Sequence, residues 1–214
     1  MPENNQENIS KSITEYSMIS FFSKKMRIGV VGAGRAGFIK ASHFAKEGCY
    51  VEILSKEISE ELKELYKYNV NILDKEYTKD FIKDKHIIII AINSLDKVKE
   101  IRRDCEEEFK LYIDSTSFLE GMAVVPVQRE LKNIVIAVNT KTGNPKGAVF
   151  LGDKTKELLR KYDDFISFTS VVRNKTKDKE YKKEIMEYVF TEDFQFFFNR
   201  GEGENVLRMF YSCY

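Results

Sequence analysis

Residues 26–55 read MRIGVVGAGRAGFIKASHFAKEGCYVEILS and contain an apolar run, a glycine-rich turn, a mixed polar and apolar segment and a second apolar run. The run 28–31 predicts a β-strand that ends at Gly32, whose missing Cβ permits a tight turn. The segment after the turn has the spacing of an amphipathic helix, and 50–54 has the composition of a second strand. The stretch therefore predicts a βαβ unit with two parallel strands.

The glycine-rich turn has the spacing GxGxxG, which between a strand and a helix is typical of a dinucleotide site. Gly34 allows the backbone to approach a pyrophosphate, and Gly37 allows the helix to pack against the strand. The unpaired amide groups and the positive end of the helix dipole stabilise phosphates there without a charged side chain. The alternative is a turn that only connects strand and helix. The predicted phosphate-binding residues are Gly32, Ala33, Gly34, Arg35, Ala36 and Gly37.

Two further strand ends are predicted to contact the cofactor. Ser55 and Lys56 follow the second strand, where an Asp or Glu usually binds the ribose 2′-hydroxyl. These residues would not repel a 2′-phosphate, so the sequence leaves NAD and NADP open. The run 86–92 is continuously apolar and β-branched, as expected of a central strand buried on both faces. The predicted cofactor neighbours at its end are Ala91, Ile92 and Asn93.

The chain has 214 residues, of which 43% are hydrophobic, so it can bury a core without support from disulfides or a structural metal. Its 35 Lys and Arg residues balance 34 Asp and Glu residues, which excludes a general attraction to nucleic acid or to an anionic membrane. No apolar run reaches the ~20 residues that span a bilayer, and the start lacks a signal-peptide pattern. Cys49, Cys105 and Cys213 are interpreted as free thiols, and His43 and His86 form no ligand cluster. We expect a cytoplasmic protein without a permanent metal site.

Strand and helix patterns alternate through the first half of the chain. We therefore predict an α/β fold with a Rossmann-like doubly wound parallel sheet, which occupies 26–115. The other predicted elements are helices 59–68, 78–83 and 95–109 and strands 70–72 and 110–114.

The lead-in at 1–25 ends in an apolar cluster just before the first strand. We expect this cluster to lie against the sheet. Its members are Tyr16, Met18, Ile19, Phe21 and Phe22.

Beyond residue 115 the pattern changes. The strand-like runs 122–127 and 134–139 are separated by too few residues for a crossover helix, so we predict a hairpin within a small α+β region at 116–150. Residues 151–214 are predicted to form a helical tail, whose aromatic cluster is interpreted as a helix-packing core rather than a binding surface. The predicted tail helices are 154–162, 181–190 and 205–211, and the cluster is Phe194, Phe196, Phe197 and Phe198.

From residue 18 onward the chain resembles the precorrin-2 dehydrogenase family, the NAD-dependent module of siroheme synthesis. After an apolar lead-in and a GxGxx(A/G) turn, the family has a basic residue along the helix, where this sequence has Lys40. The family then has a proline in a strand, a short polar link and an Ile-Ala-Ile-Ser/Thr run that ends in a Ser-Pro step before a helix. Here Pro126, the run 136–140 and Asn144-Pro145 keep that spacing without gaps.

The resemblance implies oxidation of precorrin-2 to sirohydrochlorin, with NAD favoured as cofactor and NADP possible. It also implies a homodimer built by the helical tail and the strands at 122–139. Some relatives insert iron or cobalt into the product, and the sequence leaves this activity open.

In the family an aspartate at the end of a sheet strand is thought to accept a proton from the macrocycle. Asp114, which ends the strand 110–114, is the predicted general base, and the alternative is an aspartate that only ends a strand. An ungapped alignment anchored on Pro126 places Thr116 at the family's aspartate position. The side chains of Asp114 and Thr116 would point the same way from an extended strand.

The resemblance also indicates substrate contacts. Precorrin-2 carries many carboxylates, which hydroxyl, amide and cationic donors can bind. Thr140 lies where the family often has a serine in the substrate cleft, and the alternative is a loop threonine. The predicted substrate-binding residues are Thr116, Thr140, Lys141, Asn144 and Lys146, with Arg129 as a further donor.

Two other functions stay open. A protein of the same fold could bind a dinucleotide or a tetrapyrrole without turnover, which Thr116 at the acid position would explain. An NADP-dependent reductase of a small metabolite would share the βαβ motif but would not account for the pattern at 140–145.

Overall fold

The computed structural model describes residues 15–56 and 59–211. The chain forms two compact units, the first from Ser17 to Val125 and the second from Pro126 onward. The glycine-rich turn belongs to the first unit, and the pattern at 136–145 belongs to the second. Within the described ranges, no helix has the length and apolar character that a membrane span requires.

The first unit is built on a five-stranded parallel sheet. Its strands are β1 (Arg27–Val31), β2 (Tyr50–Leu54), β3 (Val70–Leu73), β4 (Ile87–Ile90) and β5 (Leu111–Asp114). Its helices are α1 (Arg35–Lys46), α2 (Glu60–Lys63) and α3 (Leu95–Glu107), with single 3₁₀ turns at Ser23–Lys25, Glu64–Lys67, Lys79–Ile82 and Phe118–Glu120. The sheet order is β3-β2-β1-β4-β5, so the direction of winding reverses between β1 and β4. This confirms the predicted α/β fold with a doubly wound parallel sheet.

The core of the first unit lies on both faces of the sheet. All four isoleucines of β4 are buried, two of them in a cluster with Ala41 of α1 and two in a cluster with Ile101 of α3. Burying one such side chain contributes roughly 1.5–3 kcal/mol, which explains why this strand is apolar throughout. Cys49 and Cys105 are free thiols buried in the two clusters, and Cys213 lies outside the described residues.

The prediction that the apolar lead-in lies against the sheet is wrong. Four of its members are between 44% and 80% exposed, namely Met18, Ile19, Phe21 and Phe22. Helices already cover both faces of the sheet, and in this part of the chain Met26 packs against the core instead. The segment predicted as a helix at 78–83 forms only the 3₁₀ turn Lys79–Ile82, because so few residues close too few hydrogen bonds for a stable α-helix.

The second unit contains a two-stranded sheet and a series of helices. Its elements are β6 (Val127–Glu130), β7 (Val135–Val138), α4 (Pro145–Leu159), α5 (Asp163–Lys175), α6 (Lys182–Val189), α7 (Glu192–Asn199) and α8 (Gly203–Phe210), with a 3₁₀ turn at Arg160–Tyr162. The strands β6 and β7 pair in antiparallel fashion, which confirms the predicted hairpin. The small sheet and the helical tail agree with the predicted architecture.

The first strand of the hairpin begins later than predicted. Residues 122–126 are not a strand, because the N–H groups of Met122 and Ala123 both donate to Tyr112 O, at 3.0 and 3.1 Å. Pro126 has no N–H to offer a partner strand, so the ladder starts at Val127.

Asp163, the first residue of α5, holds the turn of this hairpin. Its carboxylate accepts hydrogen bonds from the backbone N–H groups of Lys132 at 3.1 Å and Asn133 at 2.8 Å. The contact joins residues about thirty positions apart in the chain. The carboxylate thus satisfies two backbone N–H groups of a tight turn that would otherwise have no partner among the described residues.

The tail is more helical than the sequence patterns predict. The helix α4 starts at Pro145, because Asn144 accepts the Gly147 N–H at 2.9 Å and proline suits the first helical position. The helices α5 and α7 are additional to the predicted ones. In the aromatic cluster Phe194 is fully buried and Phe198 packs against the same core, whereas Phe196 and Phe197 are 50% and 37% exposed.

Candidate functional site

The carboxyl ends of β1, β2 and β4 meet at one edge of the sheet. The Gly32 N–H donates to Leu54 O, and the Ala91 N–H donates to Val31 O, both at 2.9 Å. These bonds continue the two parallel ladders past the strands, so the glycine-rich turn lies between the ends of β2 and β4. This is also the point where the sheet order reverses, which is where α/β sheets of this type bind ligands.

The three glycines of the turn differ in the space that a Cβ atom would find at each position. Gly32 has φ +94°, and a Cβ there would lie 2.5 Å from Ala91 O. A Cβ on Gly37 would lie 2.0 Å from Gly32 O, so this glycine permits the contact between α1 and the turn. A Cβ on Gly34 would meet no atom within 4 Å. Two glycines are thus required by packing, and the third faces open space.

The first turn of α1 offers donors to this open space. Gly34 is the N-cap residue, and no side chain caps the helix. The N–H of Phe38 donates to Gly34 O at 2.9 Å, so the N–H groups of residues 35–37 precede the first bond of the helix. Free N–H groups and the helix dipole suit a pyrophosphate. The residues present therefore fit a dinucleotide.

The ends of β2 and β3 lie beside the turn. The Ser55 N–H donates to Leu73 O at 3.0 Å, which keeps the two strand ends adjacent. The Nζ of Lys56 forms an ion pair with Glu76 at 2.7 Å, and both side chains are more than 70% exposed. A cation therefore stands where an acidic residue often binds a ribose.

The predicted residues at the end of β4 are also at this edge. Ala91 is partly buried against the glycine turn, since its carbonyl oxygen and Cβ are among the atoms nearest to Gly32 and Gly37. Ile92 packs against the core cluster that includes Ile101, and Asn93 is exposed.

Asp114 at the end of β5 is surrounded by hydrogen-bond donors. Its Oδ1 accepts the N–H of Thr116 at 2.7 Å, the hydroxyl of Thr116 at 2.6 Å and the N–H of Ser117 at 2.9 Å. Its Oδ2 accepts the Nε–H of Arg102 at 2.7 Å and a second hydrogen bond from the same guanidinium. The Asp114 side chain is 0% exposed.

These contacts determine the charge of Asp114. Burial alone raises its pKa, but the hydrogen bonds from Thr116, Ser117 and Arg102 outweigh burial and hold the pKa below its usual value. The carboxylate is therefore stable as an anion. Thr116 is exposed, and Asp114 fixes the direction of its hydroxyl.

A buried polar atom lies next to these residues. The Oγ of Ser115 is buried and has no hydrogen-bond partner within the described part of the chain. The Ser115 N–H donates to Ile90 O at 2.9 Å, so this residue extends the β4–β5 ladder at the carboxyl edge. An unpaired buried hydroxyl at this edge suits a polar ligand group.

The chain also shares sequence and structure with known proteins. Residues 19–127 match the family described as "Putative NAD(P)-binding". The chain belongs to this NAD(P)-binding family. This family match supports a nicotinamide dinucleotide as the cofactor class.

One curated relative and one solved structure similar to this NAD(P)-binding chain have precorrin-2 dehydrogenase in their names. It is 26% identical over 206 residues to the "Putative precorrin-2 dehydrogenase" of Methanocaldococcus jannaschii, covering 88% of this chain and 98% of that protein. The solved structure of "SirC, precorrin-2 dehydrogenase" shares its fold, with a TM-score of 0.66 and 17% identity over 83% of this chain and 90% of that one. The resemblance to precorrin-2 dehydrogenases is therefore confirmed.

The residues predicted to bind substrate from the second unit of this NAD(P)-binding protein make local contacts. The Thr140 hydroxyl accepts the Asn144 N–H at 2.7 Å and donates to Asn144 O at 3.2 Å. Lys141 is exposed within this turn, and Lys146 is exposed in the first turn of α4. The Nε–H of Arg129 donates to the Asp153 carboxylate at 2.5 Å, so its charge is already paired. The substrate-binding roles of these residues stay predictions.

Sequence reasoning missed Ser115 and three charged residues at the sheet edge of the first unit. Arg102 is on α3 and binds Asp114 as well as Glu120, whose carboxylate it contacts at 3.1 Å. Glu76 follows β3 and pairs with Lys56. Charged residues are common on helices and in loops, so no sequence pattern distinguishes these three.

Proposed function

We propose that this chain oxidises precorrin-2 to sirohydrochlorin with NAD⁺ as the hydride acceptor. The observation that carries the proposal is the open glycine turn at the reversal point of the sheet, where Gly34 faces space and α1 presents its first N–H groups. The family match to an NAD(P)-binding domain and two relatives named as precorrin-2 dehydrogenases support it.

The chemistry needs a hydride acceptor and a proton acceptor. Precorrin-2 and NAD⁺ give sirohydrochlorin, NADH and a proton, so one hydride and one proton leave the macrocycle. The nicotinamide cofactor supplies the hydride acceptor when it is bound. The protein orients the reactants, since most of the gain comes from holding the reacting atoms in place.

For the proton we propose Asp114 together with Thr116. Thr116 is exposed, and its hydroxyl donates to Asp114 Oδ1 at 2.6 Å. A hydroxyl that donates its hydrogen in this way can still accept a hydrogen bond from a ligand through its lone pairs. Asp114 can then act through Thr116 in one of two ways: the hydroxyl oxygen takes the proton from the macrocycle as its own proton passes to Asp114, or the Asp114 anion only directs this hydroxyl.

We further propose that the acidic arms of the substrate bind polar donors of the second unit, namely Thr140, Lys141, Asn144 and Lys146. The protein is also proposed to be a cytoplasmic homodimer, as the resemblance implies. Chelation of a metal by the product remains a separate activity that the same assay can examine.

The test mixes the purified protein with enzymatically made precorrin-2 under anaerobic conditions and follows NADH and the sirohydrochlorin spectrum together. Equal formation of both, with NAD⁺ as the only oxidant, supports the proposal. Asp114→Asn should abolish turnover while NAD⁺ still binds, and unchanged turnover in this variant would remove Asp114 from the mechanism. Ferrous or cobaltous ion added afterwards examines chelation.

A second candidate is a protein that binds a dinucleotide or a tetrapyrrole without turnover. The favouring observation is that both oxygens of Asp114 already accept hydrogen bonds from the protein and that its pKa is lowered. Binding of NAD⁺ or sirohydrochlorin with no formation of NADH would favour this candidate over the dehydrogenase.

A further inference from the structure

The ion pair between Lys56 and Glu76 lies at the adenosine end of the dinucleotide site. Lys56 comes two residues after β2, and Glu76 comes three residues after β3. The Ser55 N–H to Leu73 O bond keeps these two strand ends side by side. In doubly wound sheets the adenosine ribose lies at the end of the second strand, where its 2′-substituent is recognised.

The side chains around Lys56 reduce its attraction for a phosphate. The hydrogen bond to Glu76 at 2.7 Å and the charges of Glu76 and Asp74 raise the pKa of Lys56, so the ammonium is charged but already paired. Lys56, Asp74 and Glu76 together carry one net negative charge at neutral pH. Lys97, which lies near Glu76, forms its own ion pair with Glu100 at 2.8 Å.

NAD and NADP differ only at the 2′ position of the adenosine ribose, which carries a hydroxyl in NAD and a phosphate in NADP. A ribose 2′-hydroxyl is neutral and can hydrogen-bond to either partner of the pair. A 2′-phosphate carries about two negative charges, so it must displace Glu76 from Lys56 and then remain beside two carboxylates.

We propose that Glu76 selects NAD over NADP by holding Lys56 in an ion pair. This inference rests on the proposed dinucleotide site and adds the residue that sets the choice of cofactor. Lys56 alone would favour a 2′-phosphate, and Glu76 removes that preference.

The experiment measures the dissociation constants of NAD⁺ and NADP⁺ for the full-length protein by titration calorimetry at low salt. The wild-type protein should bind NAD⁺ more tightly than NADP⁺. Glu76→Gln should strengthen NADP⁺ binding about tenfold and leave NAD⁺ binding within about twofold, because it frees one ammonium for the phosphate. The gain should shrink at high salt, where such exposed charges are screened.

Two further variants isolate the effect. Adding Lys56→Gln to Glu76→Gln should cancel the gain in NADP⁺ affinity. Glu107→Gln is the matched control, since Glu107 forms a similar exposed pair with Lys79 at 2.6 Å at the far end of α3. This control should change neither affinity.

Three results would overturn the inference: tighter binding of NADP⁺ by the wild-type protein, an unchanged NAD⁺ to NADP⁺ ratio in Glu76→Gln, or a gain that survives loss of Lys56. The failure of the dehydrogenase proposal looks different. Selective NAD⁺ binding without precorrin-2 turnover keeps the role of Glu76 and removes the catalytic function. If neither dinucleotide binds, both proposals fall.

Discussion

Three glycines at the dinucleotide site have different physical roles. Gly32 needs a positive φ, and Gly37 needs room for the backbone of the turn. Gly34 has ordinary extended dihedral angles, φ −61° and ψ 177°, and an open surrounding. The fold therefore does not explain why this position is a glycine, whereas the proposed approach of a pyrophosphate would.

This difference gives a direct test of the site. Gly34→Ala should change the free energy of unfolding by less than about 1 kcal/mol, because the lower entropy of the unfolded chain offsets the poorer N-cap that alanine makes. NAD⁺ affinity should fall at least about tenfold, or ~1.4 kcal/mol, because the Cβ occupies the space of the pyrophosphate. Urea unfolding and calorimetry measure the two quantities.

Gly37→Ala serves as the comparison for Gly34→Ala. Its Cβ would lie 2.0 Å from Gly32 O, so this variant should lose stability as well as binding. Unchanged NAD⁺ binding in Gly34→Ala would contradict the phosphate site.

At the scale of elements, Arg102 connects α3 to the end of β5. Its guanidinium binds Asp114 on the strand and Glu120 in the following 3₁₀ turn. Asp114 also accepts two backbone N–H groups from the residues that follow it. One buried carboxylate thus orders the helix, the strand end and the loop, and it does so only as an anion.

The pH dependence of stability follows from the lowered pKa of Asp114. A carboxylate whose pKa is lower in the folded state stabilises the fold above its unfolded pKa, and this contribution is lost as the pH falls through the folded value. At pH 7, Asp114→Asn should lower the free energy of unfolding by about 3 kcal/mol, because it removes the buried partner of Arg102 and leaves only the exposed Glu120 carboxylate beside the guanidinium. The difference from the wild-type protein should shrink below pH about 4.

Asp153→Asn is the matched control for this prediction. Asp153 also pairs with an arginine, Arg129, but its side chain is 60% exposed. Removing such a surface pair should cost less than about 1 kcal/mol. Equal effects of the two substitutions in urea titrations would show that the Asp114 cluster does not order this edge.

At the scale of the whole molecule, the second unit exposes many apolar side chains. Val135 of β7 is 69% exposed, and Phe150 and Leu158 of α4 are 60% and 62% exposed. A two-stranded sheet also leaves strand edges unpaired, and such a sheet is only marginally stable alone. Exposed apolar side chains and unpaired strand edges support the proposed homodimer, since a second chain can cover both.

Light scattering should therefore give the mass of two chains. Phe150→Glu should shift the protein to a single chain without unfolding it, because the side chain is exposed in the unit and a charge opposes burial in an interface. Tyr66→Glu, at a residue of the first unit that is 53% exposed, should leave the dimer intact. A wild-type mass of one chain would contradict the proposal.

Several elements could be read from the sequence with near-correct bounds. The strand predicted at 50–54 is β2, and the run of isoleucines in β4 is buried as its composition predicts. These features depend on local periodicity and on burial at both faces, which neighbouring residues determine. The sequence predicts the hairpin but not the start of its first strand, because the Tyr112 carbonyl oxygen accepts the N–H groups of residues 122 and 123 and no local pattern shows this contact.

The sequence by itself determined the doubly wound sheet and the glycine-rich turn, because both depend on the spacing of apolar residues and glycines over a few neighbouring positions. Only the tertiary structure decided the environment of Asp114 and of Lys56. Their partners Arg102 and Glu76 are 12 and 20 positions away, and each pair forms only after the sheet has brought separate elements to one edge. Charge and proton affinity at this site are therefore properties of the folded chain, since they depend on which donors lie within hydrogen-bond distance.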